Sequence, residues 1–454
     1  MTERQEIFIG NGTVVTGGDD VISGGAVLIG GDGRVAAVGP ETTLRADSPD
    51  STYLDARGGV ILPGLVNLHH HFYSALARGL DPGVAMNNFP EVLDRLWWRL
   101  DRALDHKTIG ISAELALADS IRWGTTTVFD HHASPAATAD SLDVIAAAVE
   151  WAGLSAVLCY EVSDRNGRDE AQAGLDENFR FLQSRREDPR IRGVLGLHAS
   201  FTLRDETLER AAQQRQAGDG CHIHLAEDPA DLQASRDAFG LGPVQRLVRF
   251  GLLDDNALLA HGIHLGNESY ETIANYNATL IHNPESNANN GVGMLDLPMA
   301  AGHGCLIGLG TDGMSGAMLR SLRSSFLIQR GTRQDPTAGF DVLPQLLGNN
   351  VAVARRFFDE PLLGELTPGA PADIAVIDAP PPTPLNNTNL FAHMVYGMAE
   401  APVRHTIARG RVLLKDFEHQ TLDPREIAAR AREQAPALWQ RFHDLAYGTQ
   451  YLGD

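Results

Sequence analysis

The chain is poor in the residues that staple or electrostatically anchor small proteins. Of its 454 residues only three are cysteines, Cys159, Cys221 and Cys305. Three thiols cannot form a disulfide framework or an all-cysteine tetrahedral zinc site, and such usage fits a cytoplasmic protein. Positive charge is also short: 37 basic against 58 acidic side chains give a net charge of −21. A sequence-independent grip on nucleic acid or on an anionic membrane is excluded by that balance. Lysine is nearly absent, with Lys107 and Lys415 the two present, so almost all the basic residues are arginine. No apolar run approaches the roughly 18 residues needed to cross a bilayer. Residues Met1–Gly10 have no basic segment followed by an apolar one, so no cleaved leader is expected. Neither repeats nor low-complexity tracts occur, apart from a proline-rich turn at Ala379–Pro384.

What is present divides the chain into a middle and two similar flanks. The first 60 residues read as short strands broken by glycine turns (Gly17-Gly18, Gly30-Gly31, Gly39-Pro40). The same texture returns after the Gly364–Pro371 loop, in Asp373–Ile377, Thr406–Ala408 and Arg411–Leu414. A small discontinuous β-sandwich domain built from residues 1–60 and 362–420 is therefore predicted. The middle, residues 61–361, alternates apolar β-type runs with helical patterns, the signature of right-handed βαβ units. Eight runs are predicted as strands: Val60–Asn67, Thr125–Asp130, Ser155–Glu161, Val194–Ser200, Cys221–Ala226, Ala257–His261, Thr279–Asn283 and Leu306–Thr311. Eight units in this length imply an α/β fold of the TIM-type (β/α)8 barrel. The long connection Phe72–Gly124 carries Trp97-Trp98 and suits a lid, although the two indoles equally suit the apolar face of an extra helix. Residues 421–454 read as a C-terminal helical extension.

Many of the 17 histidines gather at the C-terminal ends of the predicted strands, where barrel enzymes place their active sites. His69, His70 and His71 follow the first run, and His131 and His132 the second. His198, His224, His261 and His282 end the fourth to seventh. One such histidine is usually structural, but the pattern as a whole points to a metal site. Side chains two apart on an extended segment share a face, so His69 and His71 can grip one ion while His70 points away. In Cys221-His-Ile-His-Leu-Ala-Glu, His224 ends the strand and Glu227 lies just beyond, an imidazole beside a proton carrier. His222 shares that face at a deeper level and reads as packing or support. Asp312, in Gly310-Thr-Asp-Gly, can complete the site as ligand and proton acceptor. His198, in Gly196-Leu-His-Ala-Ser, is a candidate for holding substrate, with a hydrogen-bonded loop histidine as the plainer alternative.

Taken together, Pro63-Gly…His69-x-His71, His224-x-x-Glu227, Ala260-His-Gly-Ile-His264, His282-Asn-Pro-Glu-Ser-Asn287 and Gly310-Thr-Asp-Gly313 resemble the amidohydrolase superfamily, in its aminohydrolase branch of cytosine, guanine, adenosine and triazine deaminases. The return segment Leu366–Asp378 resembles that family's re-entry into its small β domain. Four stretches, His71-Phe-Tyr-Ser…Arg78-Gly, Leu96–Leu104, Asp130–Pro135 and Ser163–Gly167, are similar to the aminohydrolases called SsnA. The resemblance implies metal ligands His69, His71, His224 and Asp312, Glu227 as proton shuttle, and His261 as the partner of the attacking hydroxide. His264 stays as the alternative to His261, which is preferred for its place at the strand end. The implied activity is hydrolysis of a non-peptide C–N bond in a small molecule, with deamination of an amino-substituted heterocycle foremost. Amide hydrolysis, dehalogenation and a non-catalytic scaffold are the alternatives. Many superfamily members hold two ions through a lysine on a barrel strand. No lysine lies between Lys107 and Lys415, so a single divalent ion is expected, zinc before iron or manganese. A homo-oligomer is compatible with the acidic composition.

Overall fold

The computed structural model describes residues 5–18 and 20–452; residues 1–4 and 453–454, the outermost parts of the expected flanking ranges, lie outside the described residues. Five strands open the chain: β1 (Ile7–Val15), β2 (Val21–Ile29), β3 (Val35–Pro40), β4 (Thr52–Asp55) and β5 (Val60–Pro63). Nine follow in the middle: β6 (Leu65–His70), β7 (Thr125–His132), β8 (Ser155–Tyr160), β9 (Ile191–Gly193), β10 (Leu195–Ala199), β11 (Cys221–Leu225), β12 (Ala257–His261), β13 (Thr279–His282) and β14 (Leu306–Leu309). Four close the fold: β15 (Ile374–Ile377), β16 (Val403–Ala408), β17 (Arg411–Lys415) and β18 (Glu418–His419).

The strands of both ends form one nine-stranded sheet, ordered β18-β17-β16-β15-β5-β1-β2-β3 with β4 added to β1. The joint is β15 running antiparallel to β5, Ile374 opposite Pro63 and Ile377 opposite Val60. Ile9, Val14, Ile61, Ile374, Val376 and Ile407 supply a buried apolar cluster of its own. The first predicted barrel strand, Val60–Asn67, is thereby corrected: it is two strands in two sheets. Val60–Pro63 belongs to the end sheet, and the barrel begins at Leu65. The break falls where Pro63 has no N–H to give and where Gly64 passes so close to Thr126 that a Cβ would come within 2.3 Å of its hydroxyl. A continuous apolar run hides the change because both segments are buried.

The middle strands are all parallel, in a four-stranded group β6-β7-β8-β9 and a five-stranded group β10-β11-β12-β13-β14. Short bridges close the two seams into a barrel, Val162 with Leu197 and His70 with Asp312. Each seam is also stitched by one buried asparagine from a helix. Asn178 donates to the carbonyl of Tyr160 (2.7 Å) and accepts from the amides of Tyr160 and Gly196 (3.0 and 3.1 Å). Asn350 donates to the carbonyls of Val66 and Leu309 (2.7 and 2.8 Å) and accepts from the Leu309 amide (2.8 Å). A primary amide mimics a peptide group, so it continues the ladder where strand pairing stops. Val66, Leu68, Phe129, Val157, Leu258 and Ile281 pack with Val353 and Phe358 of the helix Leu346–Phe358 in a single cluster. The two-residue strand period then carries polar groups on the same face nearer the C-terminal ends: His131 after Phe129, Glu161 after Cys159, His198 after Gly196 and His224 after His222.

The connection Phe72–Gly124 folds as a short 3-10 turn (Phe72–Ala77), a helical stretch Phe89–Ala103 interrupted by a π turn at Leu93–Trp97, and the helix His106–Arg122. Near the other end the helix Pro424–Asp444 buries Ile427, Leu438 and Phe442. The segment after it is tied across the π turn: the amides of Gly448 and Thr449 donate to the Asp94 carboxylate at 2.8 to 2.9 Å, and Arg102 donates to the Ala446 carbonyl at 2.7 Å. Among the described residues no helix is long and apolar enough to cross a membrane.

Candidate active site

Four side chains from three strand ends meet at the C-terminal mouth of the barrel. His69 and His71 come from β6 and the residue after it, His224 from β11, and Asp312 from the segment after β14. A register shift between Asn67 and His70 lifts β6 out of regular pairing around His69. Backbone strain marks the same rim, since Ala226, His261 and Asp312 have φ of 49°, 77° and 55°. Left-handed geometry at non-glycine residues costs energy and clusters at functional sites.

The tautomers are set from behind. His71 donates from Nδ1 to the His131 carbonyl (2.5 Å), His224 from Nδ1 to the His198 carbonyl (3.0 Å), and His69 Nδ1 faces His222 Nε2 (2.9 Å). In each ring these contacts take up Nδ1 and turn Nε2 to the centre. There His71 Nε2 stands 3.1 Å from His224 Nε2 and 3.1 Å from Asp312 Oδ1, and His69 Nε2, buried with no hydrogen-bond partner, stands 3.7 Å from the same oxygen. Converging lone pairs around a carboxylate are unstable alone and fit a divalent cation. The charge field agrees. Burial opposes protonation of His71, yet Asp312 outweighs it and holds the group up at about 9, so positive charge is favoured at this point. Burial brings His69 down to about 3 and, with the neighbouring imidazoles, pushes His224 well below its ordinary value. Asp312 lies well below the usual carboxylate range because the imidazoles of His69 and His71 outweigh its burial.

Beside this cluster lie two further groups expected from the sequence. His261 donates through Nδ1 to Asn287 Oδ1 at 2.8 Å, and its Nε2, buried and unpartnered, is 3.7 Å from Asp312 Oδ2 and 3.5 Å from Glu227 Oε2. Burial and the charge of Asp312 push Glu227 well above the carboxylate range, which favours its protonated form. His264 is elsewhere, half-buried with Nε2 bonded to the Val292 carbonyl at 2.8 Å. Ser286 gives its hydroxyl proton to Asp312 Oδ2 at 2.6 Å.

The other histidines of the barrel strands serve the walls. His222 backs His69, while His70 bonds to the Asp312 carbonyl (2.5 Å) and so points away from the centre. His131 bridges Glu161 and the His222 carbonyl, both at 3.1 Å. His132 pairs with Ser134, and His282 with Ser325. His198 does line the cavity, with Nδ1 on Thr202 at 2.6 Å and burial lowering it to about 3.

Above the cluster opens a cleft of about 950 Å³, open solvent at its mouth included, whose walls include His71, His224, Glu227, Asp312, Trp97 and Trp98. Both indoles therefore face the cavity. Sequence reasoning missed three contributors. Glu161 is buried in the wall, and burial is outweighed by His198, His131 and Arg165, which keep it ionised. Its place at the end of the third predicted strand was the available signal. Asp101, paired with Arg165, had no such mark. Tyr451, packed on Phe201 with ring centres 4.7 Å apart, reaches the cavity from the far end of the chain, and nothing local announces it.

The amidohydrolase family model matches residues 60–413. The chain belongs to the amidohydrolase family. Members are metal-dependent, and this one is a hydrolase acting on carbon–nitrogen bonds other than peptide bonds. It is 31% identical over 441 residues to a 5-methylthioadenosine/S-adenosylhomocysteine deaminase of Moorella thermoacetica, covering 94% of this chain and 99% of the relative. A 5'-deoxyadenosine deaminase of Methanosarcina mazei is 29% identical over 447 residues, with 96% and 99% covered. Among solved structures, a zinc-bound adenosine deaminase from Xanthomonas campestris superposes with a TM-score of 0.80 at 22% identity, covering 98% of this chain and all of the other. An atrazine chlorohydrolase from Arthrobacter aurescens with zinc gives 0.77 at 23% identity, with 95% and 100% covered. At those identities the likeness is one of fold, a barrel with an accompanying sheet from the chain ends.

Proposed function

We propose that this amidohydrolase is a mononuclear aminohydrolase that removes an amino group from a small heterocycle, C–NH2 plus water giving C=O plus ammonia. The observation that carries the reading is the convergence of the Nε2 atoms of three imidazoles on one carboxylate, with Glu227 beside them at 3.5 Å from His261. The names of the relatives, deaminases of adenosine-derived compounds, support it.

His69, His71, His224 and Asp312 would hold the ion. Three nitrogen donors and one oxygen suit zinc, and they also accept iron or manganese. Bound there, a divalent ion supplies a water whose pKa falls from about 15.7 toward about 7. The protein groups do the rest. Asp312 Oδ2, held by Ser286, accepts the proton of the attacking water. His261, with Nδ1–H committed to Asn287, offers its bare Nε2 and orients that water. Glu227 gives its proton to the ring nitrogen next to the scissile carbon, which makes the carbon electrophilic; the proton relayed from Asp312 reaches the leaving amine, and the hydroxyl proton released as C=O forms returns to the Glu227 carboxylate. Trp97, Trp98 and Tyr451 cover the cleft and keep bulk water from the reacting carbon.

The test is metal stoichiometry and ammonia release on His69→Ala and Asp312→Ala. Both variants are expected to lose the ion and to lose turnover by at least about 10²-fold. Retained metal together with unchanged hydrolysis would overturn the proposal.

A further inference from the structure

The short helix Pro284–Asn290 follows β13 and ends at Gly291, a left-handed cap with φ of 65°. Its Glu285 accepts from the Ser324 hydroxyl at 2.8 Å, which ties it to the neighbouring helix Met318–Arg333. Two of its residues already serve the site: Ser286 gives its proton to Asp312 Oδ2, and Asn287 Oδ1 accepts from His261. At about 100° per residue, Asn290 falls on the same face, one turn after Ser286. The chemistry above leaves this third polar group unused. Asn290 Nδ2 lies 3.4 Å from Glu227 Oε1 and 3.4 Å from Ser286 Oγ. The orientation of the amide follows from its neighbours. The Ser286 proton is committed to Asp312, so Oγ can only accept and must face the NH2 end. The amide oxygen is turned the other way, where it accepts from Asn289 Nδ2 at 3.1 Å. The two protons of one NH2 group thus join Glu227 to Ser286 and, through Ser286, to Asp312.

Resting on the reading of Glu227 as the proton carrier, we infer that Asn290 is a positioning residue for the deamination. It fixes the rotation of the Glu227 carboxyl so that Oε1 is turned to the helix and Oε2 to the reacting face, 3.5 Å from His261 Nε2. The last torsion of a glutamate is broad and roughly two-fold, so without a partner on Oε1 both oxygens sample both sides. Proton transfer needs an approach of roughly 2.6–3.2 Å to the ring nitrogen, and a small error in aim is costly. Contacts of 3.4 Å are long, so Asn290 contributes aim rather than much binding energy. The proton-handling carboxyls of Glu227 and Asp312 are held from a single helical turn, Ser286 to Asn290, which keeps their separation constant while a proton passes between them by way of the substrate.

The test is ammonia release by the metal-loaded full chain, screened over adenosine, 5'-deoxyadenosine, guanine and cytosine, with the fastest serving as the substrate. Asn290→Leu, which keeps the bulk and removes the amide, should lower kcat about tenfold at unchanged metal content and with KM within about twofold. Asn290→Asp keeps the shape but sets an acceptor against Glu227 Oε1 and Ser286 Oγ, so it should lose more than Asn290→Leu. In the Glu227→Gln background the loss from Asn290→Leu should shrink to about twofold or less, since a positioning residue acts only through the group it aims. Unchanged kcat in both Asn290 variants overturns the inference and leaves the acid role of Glu227 standing. So does the reverse order of the two, which a packing role predicts, or a loss that persists in the Glu227→Gln background. Full turnover in Glu227→Gln alone overturns the acid role and the inference with it. A crystal structure of Asn290→Leu decides without turnover. The Glu227 carboxyl is expected there in more than one orientation or turned from His261, and a single orientation as in the wild-type chain overturns the inference.

Discussion

Single side chains in this site act through states imposed by their neighbours. Glu227 is proposed to work as an acid, because burial and the Asp312 charge favour its protonated form. Removing that proton-carrying capacity while preserving shape, in Glu227→Gln, should leave metal content intact and lower kcat by roughly 10²–10⁴-fold. The pH profile follows with a definite sign. The protonated form is the active one and its pKa is raised, so kcat/KM should fall as pH rises through that value, and Glu227→Gln should lose this alkaline limb. Measuring kcat/KM against pH for both proteins checks the assignment. His69, His71 and His224 were legible in the sequence as strand-end histidines at useful spacing. The direction of their Nε2 atoms was not, because it depends on carbonyls and rings from other strands, those of His131, His198 and His222.

At the scale of elements, the barrel is closed by side chains as much as by strands. Asn178→Ala removes bonds to the Tyr160 and Gly196 backbone in a buried seam. Leaving those groups unpaired should destabilise the fold by about 2–4 kcal/mol, read as a lower urea midpoint at unchanged m value. The strap after the terminal helix makes a separate expectation. Tyr451 touches Phe201 and the cavity but no catalytic group. Tyr451→Ala should therefore raise KM severalfold with little change in kcat or metal content, the pattern of lost uniform binding. The eight apolar runs were readable because burial repeats with the strand period. The division of Val60–Asn67 between two sheets was not, since an apolar residue reads alike in either one. The strap was unreadable for a related reason: polar, glycine-containing chain carries no periodicity, and its course is set by the Asp94 carboxylate that receives it.

For the molecule as a whole, the proposed metal cluster is a concentration of buried polar groups that a cation would compensate. Chelation should lower the thermal unfolding midpoint, and one equivalent of divalent ion per chain should restore it, since a ligand bound only by the native state stabilises that state. Calorimetry with and without chelator checks this, and a requirement for two equivalents would contradict the single-ion centre that the lysine gap implies. What could be read from the linear chain was whatever is periodic or local: strand runs, strand-end histidines, the carboxylate three residues after His224, and the acidic, lysine-poor composition with its exclusions. Folding alone decided which lone pairs meet, that Glu161 and His198 face each other, and that Tyr451 arrives beside Trp98. The reason is physical. Periodicity encodes which face of an element is buried, but charge state, tautomer and cavity lining arise from groups far apart in sequence, brought within a few ångströms only when the barrel closes.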